Sequence, residues 1–242
     1  LKAVRLEQAV ARVRPKKATP LLPDKMVKLV RFLRYQLSLK NTTHKQKLLI
    51  LRDMAYLTLL WHSGDRGADL SLLTARDVLY YKNDPDTWLF RHVVGKTARV
   101  DRPEYFALKR SQGSPICPMS DLEQYRLYAS SLGCTLTTGY IFRPISLKGP
   151  LQLLDKPLSV SVMSGRLKKY LQDIGLWEGE TIHSARGGCA TALRLLKISD
   201  TDISGHVGWN TPKMITSYTN QSEFAAQMRV ASSMADTQWD KH

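Results

Sequence analysis

The stretch LLILRDMAYLTLLW, residues 48–61, constrains this chain more than any other, because it is its longest apolar run. It is too short to cross a bilayer, and Arg52 and Asp53 interrupt it, so it belongs in the interior of a globular fold. Its pattern predicts one helix from about Thr43 to His62. That helix stops at Ser63 and Gly64, where Gly64 can take the left-handed C-terminal conformation.

The 242 residues, 43% of them hydrophobic, suffice for one large or two small domains with a real core. Before the central run, Met26, Leu29, Val30, Leu33 and Leu37 fall at the spacing of an amphipathic helix. Its other face carries Lys25, Lys28, Arg31 and Arg34. The middle of the chain changes character. VLYY (78–81), TWLFRHVV (87–94) and a run near 99–107 are rich in β-branched and aromatic residues, and polar turns separate them. They predict a small antiparallel sheet with VGKTAR at a hairpin tip. Helices return after Pro118, where SDLE (120–123) has the form of a capping box and Gly133 closes the segment. Further helices are expected at 159–174, 183–197, 200–206 and 211–220, with Pro212 in a first turn, and a last amphipathic one at 222–235. The fold class is therefore mainly α with a small antiparallel β-sheet, an α+β arrangement.

Residues 1–14 read as the end of a helix and RPKKATPLLPDK (14–25) as a basic, proline-punctuated linker. This divides the chain into an arm and linker, 1–24, and a main domain, 25–242. The first residue is Leu1, which suggests a domain excised from a longer protein.

Charge is unevenly spread. The chain carries a net +15, and residues 1–50 hold 13 Lys and Arg against 2 Asp and Glu. Such asymmetry points to a polyanionic partner, nucleic acid first among them, with Lys16, Lys17, Lys25, Lys28, Arg31 and Arg34 as candidate contacts. A solvated basic tail beside an amphipathic helix is the plainer alternative. Cys117, Cys134 and Cys189 show neither metal-ligand nor disulfide-framework spacing and read as reduced thiols of an intracellular protein. No metal or cofactor is implied.

Several residues could do chemistry. Arg66 lies in a Gly-flanked turn after the helix stop, Lys96 at the hairpin tip, and His183 and Arg186 three apart in HSAR (183–186). Gly187 and Gly188 follow, each costing a helix roughly 1 kcal/mol, which is tolerable where another backbone or a ligand must come close. Taken singly, these are a surface arginine, a solvated lysine, a chance polar pair and, at Tyr218, one of ten tyrosines. Taken together, they fit attack on a phosphodiester. Two arginines can clamp the non-bridging oxygens, a histidine can assist a phenol, and a lysine can protonate the leaving oxygen.

The order Arg66, Lys96, HSAR, GHVGW (205–209) and Tyr218 resembles the catalytic domain of tyrosine recombinases, over about residues 25–235. HSAR, and a Trp nine residues before the tyrosine, look most like the Cre branch. The resemblance implies a site-specific recombinase or integrase that cuts and rejoins double-stranded DNA without metal or cofactor. It implies Tyr218 as the nucleophile of a 3′-phosphotyrosine link, Arg66 and Arg186 on the scissile phosphate, Lys96 as general acid and His183 as the base-like partner. Asp69 falls where the family often has a supporting acid, and Trp209 where most members have His and the Cre branch Trp. His206 lies twelve residues before Tyr218, too far for the common pattern, which leaves it a packing or helix-end role beside Trp209. The resemblance further implies a homo-oligomer on DNA, joined through the 222–235 helix, and an intracellular, DNA-associated protein. A catalytically silent DNA-binding module, or a type IB topoisomerase, would share most of these features.

Overall fold

The computed structural model describes residues 19–91, 105–146 and 149–209. Lys16, Lys17, Lys96, Tyr218 and the expected helices at 211–220 and 222–235 lie outside the described residues.

Helix α1 runs Pro23–Ser38, starting ahead of Met26 because Pro23 occupies its first turn, where a fixed φ and a missing N–H cost nothing. It buries Met26, Leu29, Val30 and Leu33, as the periodicity predicts. The stretch before it, read from sequence as linker, is packed from Leu21 onward, and Leu21 is fully buried.

The central apolar run forms α2, His44–Ser63. Thr43 and Gln46 cap its start reciprocally, and Gly64 ends it at φ 62° with its N–H on the Leu60 carbonyl. Its residues are almost all buried from Leu48 to Ser63. The two charges inside it answer each other. Arg52 donates from Nε and Nη2 to Asp53 Oδ1 (3.0 and 2.7 Å) and from Nη1 to the Arg143 carbonyl (3.0 Å). Asp53 Oδ2 accepts from Tyr170 (2.8 Å) and from Arg166. A buried ion pair survives only when its remaining hydrogen-bonding capacity is met, and here it is.

After a short α3 (Gly67–Ser71) and a 3₁₀ turn (Ala75–Asp77), the chain enters a three-stranded antiparallel sheet: β1 Val78–Tyr80, β2 Thr87–Arg91 and β3 Tyr105–Lys109, in that spatial order. Phe90 sits opposite Val78 on one side and Phe106 on the other. The period-two alternation buries Trp88, Phe90, Phe106 and Leu108 on one face.

Helix α4, Pro118–Ser131, packs on α2. Here the capping-box expectation fails. The helix begins at Pro118, so Ser120 already lies inside it and its hydroxyl turns to Cys117 Sγ and Arg110 instead. Three helices complete the described chain: α5 Val160–Asp173, α6 Ser184–Leu195 and α7 Asp200–Val207. A small satellite core of Cys189, Ala190, Ile203, Val207 and Trp209 joins α6 to α7. The architecture is mostly helical with one small antiparallel sheet. Among the described residues no helix is long and apolar enough to cross a membrane.

Candidate active site

Two chain turns build the site. The first is the exit from α2. Beyond Gly64 the backbone extends through Arg66, which caps α3 at φ −81°, ψ 141°. The Asp65 carboxylate accepts the Arg66 N–H at 3.2 Å and so fixes the turn. The Arg66 guanidinium reaches Asp69 at 3.4 Å, with side-chain exposures of 46% and 15%. Arg66 therefore faces solvent while the carboxylate steadies it from below. Burial, then the nearby Asp65 charge, raise the Asp69 carboxyl above its ordinary value, while Arg66 and Arg186 pull it down.

The second turn is the entry to α6. His183 sits just outside the helix, as its cap, and Arg186 lies in the first turn. Arg186 is 2% exposed, and its Nη1 donates to the Gly64 carbonyl at 2.6 Å. Its guanidinium lies over the Trp209 ring, 5.0 Å from the centroid. The glycine that ends α2 thus also orients an arginine from α6, two positions from Arg66.

His183 reaches solvent. Partial burial first, then the charges of Arg186 and Arg66, hold its pKa below the ordinary 6.5. Its ring is consequently neutral at pH 7 and able to accept a proton. Because both arginines act on His183, and both act on Asp69, the four side chains form one electrostatic cluster drawn from two elements.

His206 and Trp209 make different contacts. His206 Nε2 bonds the His62 carbonyl at 2.7 Å and meets Phe106 edge-on, bracing the end of α2. Trp209, 8% exposed, supports Arg186. Burial chiefly lowers the His62 pKa, and the His206 charge lowers it further.

One glycine contact brings the two turns together, and a second brings α6 against Leu21. A Cβ on Gly67 would lie 2.5 Å from Ile182 Cγ2, so the residue after Arg66 packs directly on the residue before His183. The Tyr56 hydroxyl donates to the Gly67 carbonyl at 2.8 Å and locks the contact. On the far side of α6, a Cβ on Gly188 would lie 1.9 Å from the Leu21 carbonyl oxygen. Gly188 was conspicuous in the sequence, whereas nothing there singled out Tyr56, Ile182 or Leu21.

The candidate DNA contacts on α1 fare differently. Lys25 is drawn inward, 12% exposed, to Glu178 (2.8 Å) and Glu180. Burial alone would lower its pKa, but the hydrogen bonds from the two glutamates leave it raised. Arg34 pairs with the buried Asp121 at 3.1 Å, and Lys28 with Asp24 at 3.8 Å on the surface. Arg31 is exposed.

No family model and no curated protein matches the chain. Solved structures do. The chain is similar to the XerH site-specific recombinase bound to a palindromic difH substrate in a post-cleavage complex, with a TM-score of 0.63 and 15% identity over 92% of this chain and 54% of that one. It is similar to the XerA recombinase (0.59, 16%, over 98% and 74%) and to a lambda integrase dimer bound to a COC′ core site (0.52, 18%, over 87% and 51%). The chain spans about half the length of the XerH and lambda integrase chains. At such identities the likeness speaks for architecture, and the architecture is that of the tyrosine recombinase catalytic domain.

Proposed function

We propose that this chain is the catalytic part of a site-specific DNA recombinase or integrase, acting through Tyr218. The reading rests on one observation above all. Arg66, paired with Asp69, and Arg186, bonded to the Gly64 carbonyl two residues before Arg66, come from separate elements that meet where Gly67 packs on Ile182 beside His183. That arrangement suits a phosphodiester becoming pentacoordinate. The Tyr218 oxygen attacks phosphorus, a 3′-phosphotyrosine bond forms, and the bond to the 5′-oxygen breaks. Arg66 and Arg186 take the charge that gathers on the non-bridging oxygens. His183 assists the phenol proton, and Lys96 supplies a proton to the departing 5′-oxygen. Trp209 supports the Arg186 guanidinium from 5.0 Å, consistent with the Cre-branch resemblance. Rejoining reverses the steps, with the bond energy kept in the phosphotyrosine link. Two of the similar structures, of XerH and of lambda integrase, are DNA complexes, the second of a dimer, which supports DNA as partner and a homo-oligomer on it; joining through the 222–235 helix is part of the same proposal.

The test is a trapped covalent complex. Wild-type protein incubated with a pool of nicked duplexes forms tyrosine-linked adducts whose DNA can be sequenced, and Tyr218→Phe binds the same duplexes without adduct. Binding with no adduct from the wild type would leave a DNA-binding module, and supercoil relaxation by monomers would point to a topoisomerase.

A further inference from the structure

The segment ahead of α1 is stitched to the segment that carries His183. Thr19 Oγ1 donates to the Glu178 carbonyl (3.1 Å) and the Leu21 N–H to the Ser184 carbonyl (3.0 Å). The Leu21 carbonyl in turn accepts from Trp61 Nε1 at 2.7 Å, while Gly188 leaves it room. Lys25 binds Glu178 and the buried Glu180, whose second oxygen accepts the Glu178 N–H at 2.6 Å. Thr19 and Lys25 both meet the loop at 178–180, and Leu21 between them meets Ser184 and Gly188 of α6, so the strap is tied to both the loop before His183 and the first turns of α6. Within that same turn Ile182 meets Gly67, the residue after Arg66.

We propose that Thr19–Lys25 is a positioning strap: it presses the His183–Arg186 turn against the Arg66 turn, and Trp61, Gly188 and Glu180 are the residues that set its seat. The strap fills no chemical role. It acts through His183 and Arg186, and its effect on cleavage rests on the recombinase reading above. Releasing it moves the His183 turn away from Arg66.

Histidine NMR on the whole chain tests the strap without relying on cleavage. Its six histidines are resolved by their Cε1 protons, with His183 assigned by its loss in His183→Asn. In Gly188→Ala, Trp61→Phe and Glu180→Gln, the His183 titration moves up toward its ordinary value, because the burial and then the Arg186 and Arg66 charges that depress it are relieved together. Trp61→Phe and Glu180→Gln keep the test valid where Gly188→Ala does not fold. The control is Phe90→Leu, buried in the sheet, which lowers the melting temperature without moving His183. In parallel, the single-turnover rate of adduct formation at saturating DNA falls about tenfold in the strap variants, with DNA affinity within about twofold. An unmoved His183 in all three variants, or an equal movement in Phe90→Leu, overturns the strap. If His183 moves while wild-type protein never forms an adduct, the strap stands and the recombinase reading falls.

Discussion

Helix α1 and the paired turns at Arg66 and Arg186 both carry cations that composition alone marks for a polyanion, yet the fold uses them differently. On α1, Lys25 and Arg34 end on buried carboxylates, Glu180 and Asp121. At the site, Arg186 donates to the Gly64 carbonyl and lies over the Trp209 ring. Arg66 stands half-exposed on the rim. A cation seated on a fully buried carboxylate holds the molecule together, whereas a half-exposed one such as Arg66 keeps part of its field at the surface. Net charge cannot separate these cases, because it counts side chains without their partners.

The largest expected effect breaks the comparison in one experiment. Arg186→Ala should lower the rate of adduct formation by roughly 10²–10³-fold, the scale of losing one preorganised donor to a developing oxyanion. Arg34→Met should leave that rate unchanged and instead cost about 1–2 kcal/mol in urea unfolding, because it removes a charged hydrogen bond from buried Asp121. Burial already raises the Asp121 carboxyl, so without Arg34 it takes up a proton more readily and part of the penalty is relieved. If the two variants exchanged phenotypes, the distinction between structural and site cations would collapse.

Much of this was legible in advance, and the failures share a cause. The α2 boundaries and its Gly64 stop follow from local chemistry, as do the alternation in the sheet and the apolar stripe of α1. SDLE misled because a capping box is a local signal, and Pro118 supplied a stronger start two residues earlier. The Arg66 and HSAR turns could be flagged from residue type. What brings them together could not, since Tyr56, Ile182 and Leu21 are ordinary apolar or aromatic residues whose importance lies in a contact across the chain. Gly188 carried a signal of close approach but no address. The fate of Lys25 was likewise invisible, because its partners lie 153 and 155 residues away.

A smaller effect sharpens the electrostatic side of the site. His183 is depressed below 6.5, so the fold favours its neutral ring. The sign follows: its contribution to stability is present above the unfolded value of 6.5 and is lost as pH falls through the lower folded value. Adduct formation should accordingly be flat from pH 8 to 7 and decline only well below pH 6.5, as the ring gains a proton. His183→Asn should lower the plateau and erase that acid limb. A limb that persisted in His183→Asn would assign the titration to another group.

The smallest effect concerns the outer face of α1. Arg31 is exposed, and Lys28 pairs only with solvent-facing Asp24, an interaction of little energetic weight. If this face lies along DNA, Arg31→Gln should weaken binding uniformly across sequences and reduce the slope of log affinity against log salt by about one. Lys25→Gln should leave that slope unchanged, because its charge is already committed to Glu178 and Glu180. Equal slopes for wild type and Arg31→Gln would place the DNA path elsewhere and leave α1 a wholly structural helix. The measurement is worth making despite its size, because it asks whether any of the basic charge on α1 remains available once the fold has taken what it needs.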